Sequence, residues 1–180
     1  MRMNSLCAYR NIVVASAAFW TAAASAMDDC ECAPCPEIDA RGLSNLSADE
    51  LEEVFHSGVV NGIPLGYAKG RPLLMLDYRR PRLRASMSGM VWKGKHFLPD
   101  GRMINQWVGF RAVGADVWIE ASMFDGQPCI HIEYPPNAAV FGNSFDELRE
   151  IAPSVFLGRF CERCPTPRLK GYFVLTMCSR

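Results

Sequence analysis

Residues 116–134 leave this chain the least freedom. Val117, Ile119, Ala121 and Met123 alternate with Trp118, Glu120, Ser122 and Phe124, and beyond Asp125-Gly126 the residues Ile130, Ile132 and Tyr134 oppose Cys129, His131 and Glu133. Period-two alternation on both sides of an Asp-Gly pair predicts an antiparallel hairpin. Pro135-Pro136 stops it, because proline cannot donate to a ladder. Further short apolar runs predict strands over residues 73–78, 87–98, 103–110, 155–163 and 168–176, with a hairpin turn at Pro99-Asp100-Gly101. Many short strands in succession make an antiparallel meander, and closing the meander into a barrel removes its exposed edges. The fold class is therefore mainly β.

Two helices accompany the strands. Ser47 and Glu50 have the spacing of a capping box, Leu46 and Leu51 that of a hydrophobic staple, and Leu51, Val54 and Phe55 share one face before Gly58. This N-terminal helix is expected to lie on the barrel as a lid or plug, with His56 complementing its C-terminal dipole. Ser144 and Glu147 repeat the cap spacing, which predicts a short helix over 145–151 ended by Pro153. Residues 59–70, with several glycines and Pro64, read as loop.

Arg2 and Arg10 flank the start of an uncharged apolar run over 12–26 that ends Ala24-Ser25-Ala26, the layout of a secretory signal peptide. The expected organisation is a signal peptide over 1–26, a Cys-rich leader or tether over 27–45 and one barrel domain over 46–180, with the chain exported to the periplasm or secreted. No later segment is long and apolar enough for a transmembrane helix. An oxidising compartment makes Cys30, Cys32, Cys35, Cys129, Cys161, Cys164 and Cys178 disulfide candidates, an odd number. The Cys30, Cys32 and Cys35 group has the softness a Zn or Cu(I) site needs, but bridges to the body are the plainer reading.

Nineteen basic residues balance nineteen acidic ones, so the chain lacks the footprint of a nucleic-acid binder. The one local group, Arg79, Arg80, Arg82 and Arg84, reads as a solvated loop around Pro81 in preference to an anionic-ligand or membrane-surface patch.

Trp92-Lys93-Gly94-Lys95-His96-Phe97 matches a W-x-G-K-x-F module, and Phe124-Asp125-Gly126-Gln127-Pro128 an aromatic-Asp-x-x-Pro hairpin. Together with the closing strand Gly171-Tyr172-Phe173-Val174-Leu175, they make residues 47–176 resemble the lipocalin-like, calycin-type proteins named for a G-x-W-x-G motif. Gly66-Tyr67-Ala68-Lys69-Gly70 keeps the glycines of that motif, with Ala68 in place of its tryptophan. The resemblance implies a lipocalin-like antiparallel barrel that holds an apolar ligand and has no enzymatic activity.

An aromatic-rich barrel wall with a few polar groups is the usual surroundings of a small apolar or amphipathic ligand. The candidate ligand-binding residues are Trp92, Phe97, Trp107 and Tyr134, with His131 as the orienting polar group and Arg149 as a carboxylate holder if it points into the mouth. No cofactor or catalytic residue is expected. Two rivals stand beside this reading. His131, Glu133, Cys161 and Cys164 follow the order of zinc-hydrolase ligands and general acid/base, and a barrel packed solid with the same aromatics would be purely structural.

Overall fold

The computed structural model describes residues 40–138 and 141–177. Its elements run α1 (Ala40–Asn45), α2 (Ala48–Ser57), β1 (Gly66–Met75), α3 (Pro81–Val91), β2 (Trp92–Phe97), β3 (Arg102–Trp107), β4 (Phe110–Ala121), β5 (Pro128–Glu133), β6 (Ser144–Ala152), β7 (Val155–Glu162) and β8 (Arg168–Met177). Each strand pairs antiparallel with its successor, and β8 returns to β1, closing an eight-stranded barrel in sequence order. The alternation read from the sequence thus produces the mainly β fold it predicts, closed into the lipocalin-like antiparallel barrel that the motif resemblance implies. Gly101 (φ 76°) and Gly126 (φ 70°) adopt the left-handed backbone their turns require.

Strand faces sort the residues. Ala68, Phe97, Met103, Val117, Ile130, Ile132, Leu148 and Leu175 meet inside the barrel. Leu73, Val155, Leu157, Tyr172 and Val174 form a second cluster with Leu43, Leu51 and Phe55 of α1 and α2. That cluster lies on the outer face of the wall, so α2 packs against the barrel's side and is neither lid nor plug. Its predicted capping box is present: Glu50 N–H donates to Ser47 Oγ at 3.3 Å, and Ser47 N–H to Glu50 Oε2 at 2.7 Å.

Three expectations are corrected. Residues 145–151 are not a helix but the middle of β6. Phe145, Glu147 and Arg149 alternate with Ser144, Asp146 and Leu148 there, and the period is disguised because charged side chains on both faces are buried with partners. Residues 87–91 are not strand, and Arg80-Pro81 is not loop centre. Pro81 opens α3 at a position where its missing N–H costs nothing, and the helix runs to Val91. Finally, β1 begins at Gly66, inside the segment read as loop, and its register shifts between Pro72 and Leu74, which accommodates a proline within a strand.

Among the described residues no helix is long and apolar enough to cross a membrane. The signal segment, the leader and Cys30, Cys32, Cys35 and Cys178 lie outside the described residues. Cys129 and Cys161 are both free and buried, which removes them from the disulfide candidates, whereas Cys164 is disulfide-bonded.

Candidate ligand cavity

β2 shapes the site through its glycine. Gly94 sits at φ 140°, and a Cβ there would lie 2.0 Å from the Ala68 carbonyl oxygen, so β1 and β2 approach as closely as they do only without a side chain. The register between β2 and β3 shifts between Trp92 and Gly94. This bulge lets Trp92 and Lys95, of opposite parity in the sequence, both border the same interior space. Gly70 completes the fit, since a Cβ there would fall 2.5 Å from the Trp92 ring.

The space is a cavity of about 370 Å³ between the barrel interior and α3. Its walls are Trp92, Trp107, Tyr134, Phe141, Phe160 and Phe173, and α3 contributes Arg84, Met87, Ser88, Met90 and Val91. The rings brace each other: Trp92 meets Phe173 edge-on at 5.5 Å, and Phe141 packs with Tyr134 at 5.1 Å and with Phe160 at 6.3 Å.

A buried ion pair borders the apolar space. Lys95 Nζ lies 2.8 Å from Asp146 Oδ2, with both side chains 2% exposed. It also donates to Tyr134 Oη at 2.6 Å and Asn105 Oδ1 at 3.1 Å, so all three ammonium protons are used. Tyr134 O–H donates to Asp146 Oδ2 at 3.0 Å, and Trp92 Nε1–H to Asn105 Oδ1 at 3.0 Å. The Asn105 amide donates to the carbonyl of Val113, which holds the left-handed φ of 64°. Burial pulls the Lys95 pKa down while the Asp146 charge pulls it back up, and burial pushes the Tyr134 hydroxyl far up, so Tyr134 stays protonated. Asp146 Oδ1 is buried without a hydrogen-bond partner.

Of the residues the sequence singles out, Trp92, Trp107 and Tyr134 line this cavity. Phe97 does not: it is 1% exposed and packs in the solid part of the core. His131 and Arg149 lie on the outer face of the wall. His131 contacts Glu120 at 3.0 Å and Glu133 at 3.1 Å and stacks on Phe145. Arg149 forks onto Asp125 at 2.9 and 2.8 Å, donates to the Pro128 carbonyl and covers the Phe55 ring at 4.6 Å. Arg159 lies beside it, 3.9 Å over the same ring, and pairs with Glu52 of α2 and with Glu147. The two arginines therefore fasten α2 to the wall and do not hold a carboxylate at the mouth.

Sequence reasoning missed Lys95, Asn105, Asp146 and Arg84. A signal for Lys95 existed: it shares strand parity with the core residue Phe97. Asp146 was hidden by the mistaken helix, and Arg84 by reading its segment as loop.

The zinc constellation is not assembled. Glu133 is engaged by His131 and Arg163, Cys164 is disulfide-bonded, and among the described residues no group of three His, Cys, Asp or Glu could hold a metal. Burial pushes the Cys129 thiol up to about 12 and that of Cys161 higher still, which keeps both as unreactive thiols.

No family model matches this chain, and no curated protein does. A protein from Thermomonospora curvata of known crystal structure is similar to it at 18% identity, over 75% of this chain and 89% of that one, with a TM-score of 0.49.

Proposed function

We infer that this protein is an exported binding protein, not an enzyme, that carries a small apolar or amphipathic molecule in the cavity beneath α3. The observation that carries this reading is an aromatic-walled space of about 370 Å³ inside a closed barrel, within the size range of small-molecule sites. The lipocalin-like motifs and the secretory layout of the N-terminus favour the same reading. The N–H and O–H groups of Lys95, Trp92, Trp107 and Tyr134 at the cavity are spent on protein acceptors, so contact with the aromatic rings is what holds a ligand there.

Titration calorimetry with 2-naphthol and its methyl ether tests the reading. Both are expected to bind, because the aromatic walls they meet do not depend on the head group. Trp107→Ala should weaken both ligands by removing a shared wall. Failure of both ligands to bind, together with a bare protein mass in native mass spectrometry after purification from the export compartment, would mean that the barrel carries nothing.

A further inference from the structure

The helix above the cavity turns its apolar side the wrong way for a helix whose role is to plug a barrel. Ala85 is the buried residue of α3, and Gly89 packs 3.3 Å, measured from a Cβ built on it, from the Pro72 ring of β1. Leu83, Met87 and Met90, spaced i, i+4 and i+7, form a stripe on the exposed side. The patch continues off the helix, because Val108 N–H donates to the Val91 carbonyl at 2.9 Å and Phe110 stacks on Trp107. These six residues, Leu83, Met87, Met90, Val91, Val108 and Phe110, are each between 46% and 63% exposed. A contiguous exposed apolar patch of this kind marks an interaction site.

Charge says what covers it. Arg79, Arg80, Arg82 and Arg84 are all exposed at the start of α3, and residues 78–91 contain no acid. The nearby carboxylates are committed elsewhere: Asp77 pairs with Lys170 and Arg168, and Glu50, which feels the Arg82 charge, caps Ser47. Arginines at one end of a helix with an outward apolar stripe have the layout of a helix lying in a membrane interface, apolar side among the acyl chains and cations at the head groups.

We propose that α3 and the Val108–Phe110 turn dock this protein on an anionic lipid bilayer. Met87, Met90 and Val91 belong both to the patch and to the cavity lining, so docking sets the cavity's rim against the acyl chains. An apolar ligand then passes between bilayer and barrel without crossing water. The docking rests on the outer surface of α3 and of the Val108–Phe110 turn, and it stands or falls separately from the carrier reading, which concerns the space below.

The test uses the full chain with phosphatidylcholine vesicles, with and without phosphatidylglycerol, doped with a lipid carrying an acyl-chain diazirine. Photolabelled peptides are located by mass spectrometry, which separates labels in residues 83–110 from labels in the apolar segment 12–26. Labels in 83–110 are expected with the anionic vesicles and should fall steeply without phosphatidylglycerol. Arg79→Gln with Arg80→Gln avoids Arg82, which holds the Asn45 and Leu46 carbonyls, and Arg84, which stacks on Tyr78. That pair should cut the 83–110 labels by roughly 25-fold, about fivefold per arginine, while labels in 12–26 persist. Met87→Ser with Met90→Ser should reduce them again with the charge intact. Labels confined to 12–26, labels in 83–110 that ignore the anionic lipid, or a dimer in native mass spectrometry that Met87→Ser with Met90→Ser dissolves would each overturn the proposal. Naphthol binding measured without vesicles reports on the carrier reading independently.

Discussion

Lys95 and Asp146 put two opposite charges in the least polar part of the molecule. Taking both out of water costs several kcal/mol per ion, and the pair is tolerated because every Lys95 proton finds an acceptor. Lys95→Met leaves a buried carboxylate with only Tyr134 to hydrogen-bond it, and should cost about 3–5 kcal/mol of stability in urea unfolding. Lys95→Met combined with Asp146→Leu removes both charges and should recover most of that loss, because the pair holds little net energy over apolar side chains of similar size. If the double variant is as unstable as the single one, the pair is a true source of stability and the desolvation argument fails. Half of this pair was open to sequence reading. Lys95 follows from strand parity with Phe97, but Asp146 required knowing that 144–152 is a strand. In that stretch the usual guide fails, since Asp146, Glu147 and Arg149 are buried beside Phe145 and Leu148.

At the scale of elements, the fastening of α2 is electrostatic on one side and apolar on the other. Phe55 is sandwiched under Arg149 and Arg159, and the Tyr172 hydroxyl donates to Glu52 at 2.5 Å. Asp125 anchors the wall side. Burial alone would raise its carboxyl, but the Arg149 hydrogen bonds, the Gln127 N–H and the two arginine charges bring it down to about 2 from the ordinary 3.8. A carboxylate whose folded pKa is depressed contributes stability above its unfolded value and loses it as the pH falls through the folded one. The contribution of Asp125 is therefore complete well above the ordinary 3.8, declines below it and is lost as the pH falls through about 2. Asp125→Asn should be less stable than the parent chain at about pH 6, and the gap should narrow to roughly a third at about pH 2.5. Urea midpoints for the two proteins at both pH values check it, and a gap unchanged by acid would disconnect Asp125 from the clamp. The capping box made α2 legible from four residues. What it covers was not, because nothing local to Arg149 distinguishes a residue that faces a helix outside the barrel from one that faces the mouth.

Across the whole molecule the barrel has two unlike halves. The wall from β5 to β8 is buried on both faces, inside by the core and outside in part by α1 and α2, and six consecutive residues of β6 from Ser144 to Arg149 are buried. On β4 only Ala115 and Val117 are buried, and Trp118, Ile119 and Phe110 reach solvent. This asymmetry also sets what the sequence revealed: β4 and the inner face of β5 alternate cleanly because the outer face of β4 meets water, whereas β6 to β8 carry no polar side to betray their period. Closure was equally obscure, since β1 begins with Gly66 and Gly70, inside the segment read as loop, and there Gly66 pairs with β2 and Gly70 with β8. Stability should divide along the same line, because amides open by the cheapest local route and the cost of opening scales with the packing lost. Native-state hydrogen exchange is expected to find the most protected amides in β6, β7 and β8, exchanging only through global unfolding. The β3–β4 hairpin should exchange through smaller openings with a weaker denaturant dependence. Since Trp107 and Asn105 ride on that hairpin, such openings also loosen one wall of the cavity, and bound naphthol should slow exchange there more than in β7. Uniform protection around the barrel, or a ligand effect confined to β7, would show that the doubly covered wall and the exposed hairpin open as one unit.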